Sequence, residues 1–347
     1  MQTADDTARD EPLLRGARGP ILQIDRISKA FGPTRALDNV SLNVHKGTVH
    51  ALLGGNGSGK STLIKALAGV QPADGGSADI AGYTLDLRHL TAQTAHAAGL
   101  RFVHQNDSTF GTLTVTENLA IGSGFAKSWP WRIRWREQER RAATTIERFG
   151  INVRPSDLLV DLSPATRKMI EIARALQDVD ESQPGVLVLD EPTAALPTAE
   201  ANALLEAIRR YAAKGQSIIY VTHRLEEVFA LADEATILRD GRIWATVRPR
   251  DLSHDELVTS MMGDAWDSAH KARNASLQDP VLELHGVSAG ATHECTLTVR
   301  SGEIVGIAGL IGSGRTSLLK ALFGDLPLRA GSITIDGRAF DNGTPHK

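Results

Sequence analysis

A single cysteine, Cys295, stands in a chain of 347 residues. No internal disulfide framework is possible, and a reducing compartment is the natural setting. No apolar run is long enough to cross a bilayer. The first twenty residues are polar and of mixed charge, and they lack the apolar stretch of a secretory signal, so 1–20 is expected to be a disordered tail. Any membrane association must then come through a partner or a surface patch. Charge of one sign is lacking too: the net charge is −3, which gives no footprint of a nucleic-acid binder. What remains is ordinary globular composition, 41% hydrophobic and 23% charged, at a length that allows more than one domain.

One stretch organises the rest. Gly54-Gly55-Asn56-Gly57-Ser58-Gly59-Lys60-Ser61-Thr62 fills every fixed position of G-x-x-x-x-G-K-[ST], the phosphate-binding loop. Residues 48–53 (TVHALL) read as a short buried strand before it. Residues 60–68 place Leu63, Ile64, Leu67 and Ala68 on one helical face after it. The glycines let backbone N–H groups converge on phosphate oxygens, and the helix N-terminus adds its partial positive charge. In such a loop Lys60 reaches the β- and γ-phosphates and the Ser61 hydroxyl holds Mg²⁺.

Along the chain, strands are expected at 21–27, 40–44, 77–80, 100–103, 186–189 and 217–221, with a turn at 28–33. A helical region is expected over about 116–149. A clean amphipathic helix follows at 163–176, with Ser163 as N-cap and Pro164 at its first position, and another runs from Pro197 to about 213. Two strands, 235–238 and 243–247, bracket an Asp240-Gly241 hairpin turn. Strands alternating with helices imply an α/β fold with a largely parallel sheet. The pattern then repeats: 281–284 echoes 21–24, and at one constant offset 309–324 (GLIGSGRTSLLKALFG) echoes 54–69 (GGNGSGKSTLIKALAG) and 331–337 echoes 76–82. This is domain duplication. The expected division is a first domain at 21–263, a polar linker at 264–280 and the opening of a second domain at 281–347. That reading makes the chain a truncated product, a fragment or the result of a frameshift.

Asp190-Glu191 ends an apolar strand, so both carboxylates are expected at the carboxyl edge of the sheet, where open α/β sheets bind ligands. One acidic residue there can serve the Mg²⁺ shell and the other can polarise a water for in-line attack on a γ-phosphate. With these motifs in order, the chain resembles an ABC-type ATPase, specifically the tandem ATP-binding subunits of bacterial ribose/galactose-type sugar importers. The resemblance covers 21–263 as a whole domain and 281–343 as a partial one, and its most specific stretch is 221–241 (VTHRLEEVFALADEATILRDG). It implies a P-loop fold of ABC type: a mixed sheet core, a helical subdomain at about 106–180 and an antiparallel β part. It also implies roles. Phe31 would stack on adenine, Gln105 would touch Mg²⁺ and water and sense a membrane partner, and Ser163-Pro164-Ala165-Thr166 occupies the signature position. Asp190 and Glu191 match the Mg²⁺-holding aspartate and the catalytic glutamate, and His223 matches the switch histidine at the γ-phosphate.

The implied activity is ATP hydrolysis with Mg²⁺, energising monosaccharide import (ribose, galactose or xylose-like) from the cytoplasmic face of the bacterial membrane. The implied partners are a permease, expected as a homodimer, a separate solute-binding protein and a complete second nucleotide domain, with no nucleic acid. Nucleoside-type or furanosyl cargo, a non-transport tandem ATPase acting on ribosomes, and a non-catalytic nucleotide-binding remnant are the alternatives. The departures from the family pattern matter. Pro164 removes an N–H donor and Ala165 adds a Cβ in the signature. Pro197 stands where a polar residue is usual. In the second copy, Gly309 and Gly314 are kept, but Arg315 replaces the loop lysine, followed by Thr316. The pair is therefore expected to be asymmetric: the weakened signature serves the Arg315 loop, and the Lys60 site needs a signature from elsewhere. The chain alone is accordingly expected to bind MgATP but hydrolyse it poorly. Finally, 129–136 (WPWRIRWR) holds three of the five Trp, interleaved with Arg. It reads either as a docking or lipid-skimming surface, or as a helix entry with packed Trp and solvated Arg.

Overall fold

The computed structural model describes residues 19–104, 108–128, 132–179, 185–262, 279–310 and 312–340. Two compact units divide the chain, 1–266 and 267–347. In the first, an antiparallel hairpin opens the chain, with β1 at Leu22–Phe31 and β2 at Thr34–Val44. The apolar run behind the phosphate loop forms β3 (Val49–Leu53), whose five residues are all buried. Helix α1 (Lys60–Leu67) leaves the loop and buries Leu63, Ile64, Ala66 and Leu67 on one face, as the spacing of those residues requires. There follow β4 (Gly75–Ile80), β5 (Tyr83–Asp86), α2 (Ala92–Ala97) and β6 (Leu100–Val103).

The helical part comprises α3 (Val115–Ser123), α4 (Trp135–Phe149) and α5 (Pro164–Leu176), with the two-residue strands β7 (Lys127–Ser128) and β8 (Arg132–Ile133) between the first two. The chain then alternates: β9 (Val186–Asp190), α6 (Thr198–Ala213), β10 (Ser217–Val221), α7 (Leu225–Leu231), β11 (Glu234–Arg239), β12 (Arg242–Val247) and α8 (His254–Met262). Six strands form the central sheet in the order β12-β11-β3-β10-β9-β6. Five of them are parallel and β12 is the antiparallel edge. A second sheet, β2-β1-β4-β5, is wholly antiparallel. Strands buried on both faces read as continuous apolar runs, which is why VHALL, VLVLD and SIIYV were legible as strands.

Several expectations need correction. The turn at 28–33 is only Gly32-Pro33, because β1 continues to Phe31 and its Ala30 N–H is held by Asp74 at 2.7 Å. Residues 116–149 are not one helical region. Gly124, at φ +83, ends α3 and the short β7–β8 pair intervenes. Strand β5 and helices α2, α7 and α8 carried too few periodic residues to be foreseen. The hairpin at Asp240-Gly241 is present, with both residues at positive φ (48° and 74°), the geometry of a tight hairpin turn. Residues 1–18, residue 263 and 264–278 of the expected linker lie outside the described residues.

In the second unit, β13 (Pro280–Ala289), β14 (Thr292–Arg300), β15 (Ala330–Ile335) and β16 (Arg338–Ala339) form an antiparallel sheet in the order β14-β13-β15-β16. Helix α9 (Arg315–Phe323) adds Leu318 to a small core with Leu284, Val287 and Ile333.

Candidate functional site

Sheet register builds the site. Strand β10 pairs in parallel with β9 so that Val221 lies opposite Asp190, and with β3 so that Val221 also lies opposite Leu52. The residues that come after each strand, Gly54, Glu191 and His223, therefore emerge side by side at the carboxyl edge of the sheet. Glu191 donates its backbone N–H to the Val221 carbonyl at 2.9 Å and adopts φ +47°, a left-handed conformation uncommon for a glutamate. This turn brings its carboxylate within 3.0 Å of His223 Nδ1.

Two glycines of the loop, Gly54 and Gly59, have no room for a side chain. Gly59 sits at φ +106°, and a Cβ there would lie 2.5 Å from the Ala36 carbonyl oxygen. A Cβ on Gly54 would lie 2.5 Å from Ser58 Oγ. Gly55 and Gly57 meet nothing within 4 Å of an added Cβ, and Asn56 is exposed. The Lys60 ammonium curls back to donate to the carbonyls of Gly54 (2.7 Å) and Gly55 (2.9 Å). Burial pulls Lys60 below the usual lysine range, while Glu191 and Asp190 pull it back up. The Asp190 carboxyl is pushed up, first by burial and then by repulsion from Glu191, against the pull of His104, Lys60 and Lys65. Ser61 and Thr62 occupy the first turn of α1.

An ammonium, two carboxylates and an imidazole thus share one edge beside a cradle of backbone N–H groups. Such a set can bind a phosphate chain, hold a hard cation and polarise a water. Phe31 ends β1, 45% exposed, so it is not a core aromatic and its ring is open to stacking. The Lys29 ammonium lies 5.6 Å from the Phe31 ring centroid. Gln105 lies outside the described residues; His104 before it and Ser108 after it are held by α5. Lys168 Nζ is 3.5 Å from the His104 carbonyl, and Arg174 donates to the Ser108 carbonyl at 3.1 Å. Lys168 itself forms a buried ion pair with Glu171 at 2.6 Å, and Ser108 also hydrogen-bonds Glu171.

The signature residues cap α5. Ser163 Oγ accepts from the Thr166 N–H at 3.3 Å, Pro164 has no N–H, and the Ala165 N–H donates to Glu200 Oε2 at 2.8 Å. The backbone donors of this stretch are thus taken up within the chain. Glu200 escaped notice in the sequence because a first-turn carboxylate on α6 has no spacing relation to residue 165. In the second unit the loop keeps its backbone. Gly312 and Gly314 lie at φ +85° and +92°, and a Cβ on Gly309 would lie 2.5 Å from Ser313 Oγ. Arg315 and Thr316 begin α9. Residues 303–310, the counterpart of β3, form no strand, and Ile304 is 98% exposed. Of the Trp/Arg segment, Trp129 and Trp131 lie outside the described residues. Trp135 opens α4, 45% exposed, edge-on to Phe125 at 6.0 Å.

Comparison with known proteins agrees with this geometry. The profile of the family described as "ABC transporter" matches residues 37–194 and 292–347. A ribose import ATP-binding protein, RbsA, of Geobacillus kaustophilus is 37% identical over 92% of this chain, and one of Clostridium perfringens is 36% identical over 93%. The chain spans 63% of the length of each of these relatives. Among solved structures, the ADP conformation of MJ1267, an ATP-binding cassette of an ABC transporter, superposes with a TM-score of 0.58 at 26% identity, covering 73% of this chain and 99% of that one. A nucleotide-free ATP-binding cassette from an ABC transporter gives 0.57 at 26% identity, covering 71% and 96%. Phosphate loop, sheet order and sequence agree, and the chain belongs to the ABC transporter family.

Proposed function

We propose that this chain is the nucleotide-binding part of a subunit that hydrolyses ATP to energise import of a monosaccharide of the ribose, galactose or xylose kind. The single observation that carries the ATPase reading is the meeting of Glu191 and His223, 3.0 Å apart, beside the Lys60 loop. The cargo reading is supported by the relatives' name, ribose import ATP-binding protein, since a nucleotide domain does not itself touch sugar. In this proposal residues 21–263 act as a whole nucleotide domain, and 281–347 belong to a second.

Each residue then has a task. The Gly54–Gly59 backbone cradles the phosphates, Lys60 neutralises the β- and γ-phosphates, and Phe31 stacks on adenine. Glu191 accepts a proton from the attacking water, and His223 hydrogen-bonds the γ-phosphate. Gln105 contributes to the cation shell and reports to the permease. The donor set fits Mg²⁺. Ser61 and Asp190 offer hard oxygen ligands, and the raised Asp190 carboxyl, facing Glu191, marks a place where an added cation relieves repulsion. Bound there, Mg²⁺ would neutralise phosphate charge. No cluster of three or more His, Cys, Asp or Glu able to hold a metal is found among the described residues, as suits a cation held largely by phosphate oxygens.

The partners in this proposal are permease subunits, a separate solute-binding protein and a second nucleotide domain that supplies a signature to the Lys60 site. No helix among the described residues is long and apolar enough to cross a membrane, so attachment to the cytoplasmic face would be peripheral, through the permease. In this proposal the Ser163 signature is a weakened one, with Pro164 lacking an N–H and the Ala165 N–H already bonded to Glu200.

Equilibrium binding and turnover test this. Lys60→Ala should weaken MgATP binding about 100-fold, a loss of charge-assisted contacts. Glu191→Gln should keep MgATP affinity but abolish hydrolysis by the chain assembled with its permease, its solute-binding protein and a second nucleotide domain. Wild-type turnover in Glu191→Gln overturns the assignment.

A further inference from the structure

Glu227 lies on α7, away from the phosphate loop, and is 3% exposed. A carboxylate buried this deeply must be matched by donors, and here the donors come from two parts of the chain, residue 193 and residues 220–224. Thr193 Oγ1 donates to Glu227 Oε1 at 2.6 Å, and Arg224 Nη1 reaches the same oxygen at 3.0 Å. Tyr220 OH and Thr222 Oγ1 donate to Oε2 at 2.8 and 2.9 Å. The Tyr220 hydroxyl is itself pushed well above the tyrosine range, first by burial and then by the Glu227 charge. Thr222 accepts the Arg224 N–H at 3.0 Å, closing a ring around the strand end.

The origin of these donors gives the network its meaning. Thr222 and Arg224 flank His223 on either side. Thr193 comes two residues after Glu191, on the loop that leaves β9. One buried carboxylate therefore ties the segment carrying His223 to the segment carrying Glu191. Their own contact at 3.0 Å is made on the surface, with His223 largely exposed, where a single hydrogen bond fixes little. The bond from Thr193 to this desolvated carboxylate fixes more, since slippage of the Glu191 segment would leave a buried donor unsatisfied, while Tyr220, Thr222 and Arg224 hold the carboxylate to the His223 segment.

We propose that Glu227 is the positioning residue of the site: it holds the Glu191 and His223 loops in register, so that the imidazole faces the terminal phosphate of a bound nucleotide. This rests on the reading of the Lys60 site as a nucleotide site. Glu227 is buried and bonded to these four donors, and it acts through the two loops.

Binding of MgADP and of a magnesium complex of a non-hydrolysable ATP analogue to the full chain tests it. His223→Ala, Glu227→Gln and Thr193→Val should each leave MgADP affinity within about twofold, and each should lower the preference for the triphosphate by about tenfold, one charged hydrogen bond's worth. Glu227→Gln keeps the volume but cannot accept from both sides. Thr193→Val cuts only the tie to the Glu191 loop. Glu227→Gln combined with His223→Ala should be no worse than His223→Ala alone, because the two act on one contact. Full additivity, or an unchanged triphosphate preference in both Glu227→Gln and Thr193→Val, overturns the proposal. A second readout needs no nucleotide: the imidazole NMR resonances of His223 should shift in Glu227→Gln while those of His96, on α2, stay in place. Unmoved His223 resonances overturn the proposal, whereas a wild-type chain that binds neither nucleotide, with His223 shifted, overturns only the nucleotide reading.

Discussion

Asp190 shows how a carboxylate at the edge of the sheet costs the fold. Burial and the neighbouring Glu191 raise its carboxyl above the ordinary 3.8, so its protonated form is the one that suits the folded state. Stability is therefore fullest below that ordinary value and is lost as pH rises through the raised one. Asp190→Asn removes the titration. In thermal melts of the nucleotide-free chain the variant and wild type should differ little near pH 3.8. Above it the gap should open in favour of the variant and become constant once pH has passed the raised value. A variant that melts lower than wild type at pH 7 contradicts this. The same substitution should remove the Mg²⁺ dependence of nucleotide binding. Glu191 is another such compromise, held at φ +47° by its turn out of β9. Neither burden could be read from the dipeptide alone, since both depend on what packs around the strand end.

At the scale of elements, caps and periodicity were the most legible signals. Ser163 caps α5 by accepting the Thr166 N–H, with Pro164 behind it, as their order in the chain implies. Ser163→Ala should lower stability by about 1 kcal/mol in denaturant unfolding. No change would mean that Thr166 finds another acceptor. The apolar strands β3, β9 and β10 were equally plain. Helix α7 was not. It has seven residues, and its Glu227 sits on the buried side beside Val228 and Leu231, so its pattern is broken by the residue that matters most. A charged residue inside an apolar face is a signal, but sequence alone cannot tell a matched buried carboxylate from a solvated one.

On the scale of the whole molecule, the repeated phosphate loop shows what a strand needs. Gly57 and Gly59 share positive φ with their counterparts Gly312 and Gly314, so loop shape is local. The strand before each loop is not. In the first unit β3 lies between β10 and β11 and every residue is buried. In the second, residues 303–310 find no flanking strands among the described residues and are largely exposed. The first unit has its three apolar clusters to itself. A chain ending at Met262 should unfold in one cooperative transition and keep MgATP affinity within about twofold, measured by calorimetry. Loss of folding would show that the first unit depends on the residues beyond Met262.

Some properties were settled by the order of residues alone. A phosphate loop is a run of backbone conformations that glycine permits and other residues resist, so its spelling is its structure, and the helix caps obey the same logic. Other properties waited for the fold. That Glu191 meets His223, and that Glu227 takes a bond from Thr193, both result from the register of parallel strands joined by long crossovers. Such strands are neighbours in space because of the burial they share, and no pattern within either one records the other.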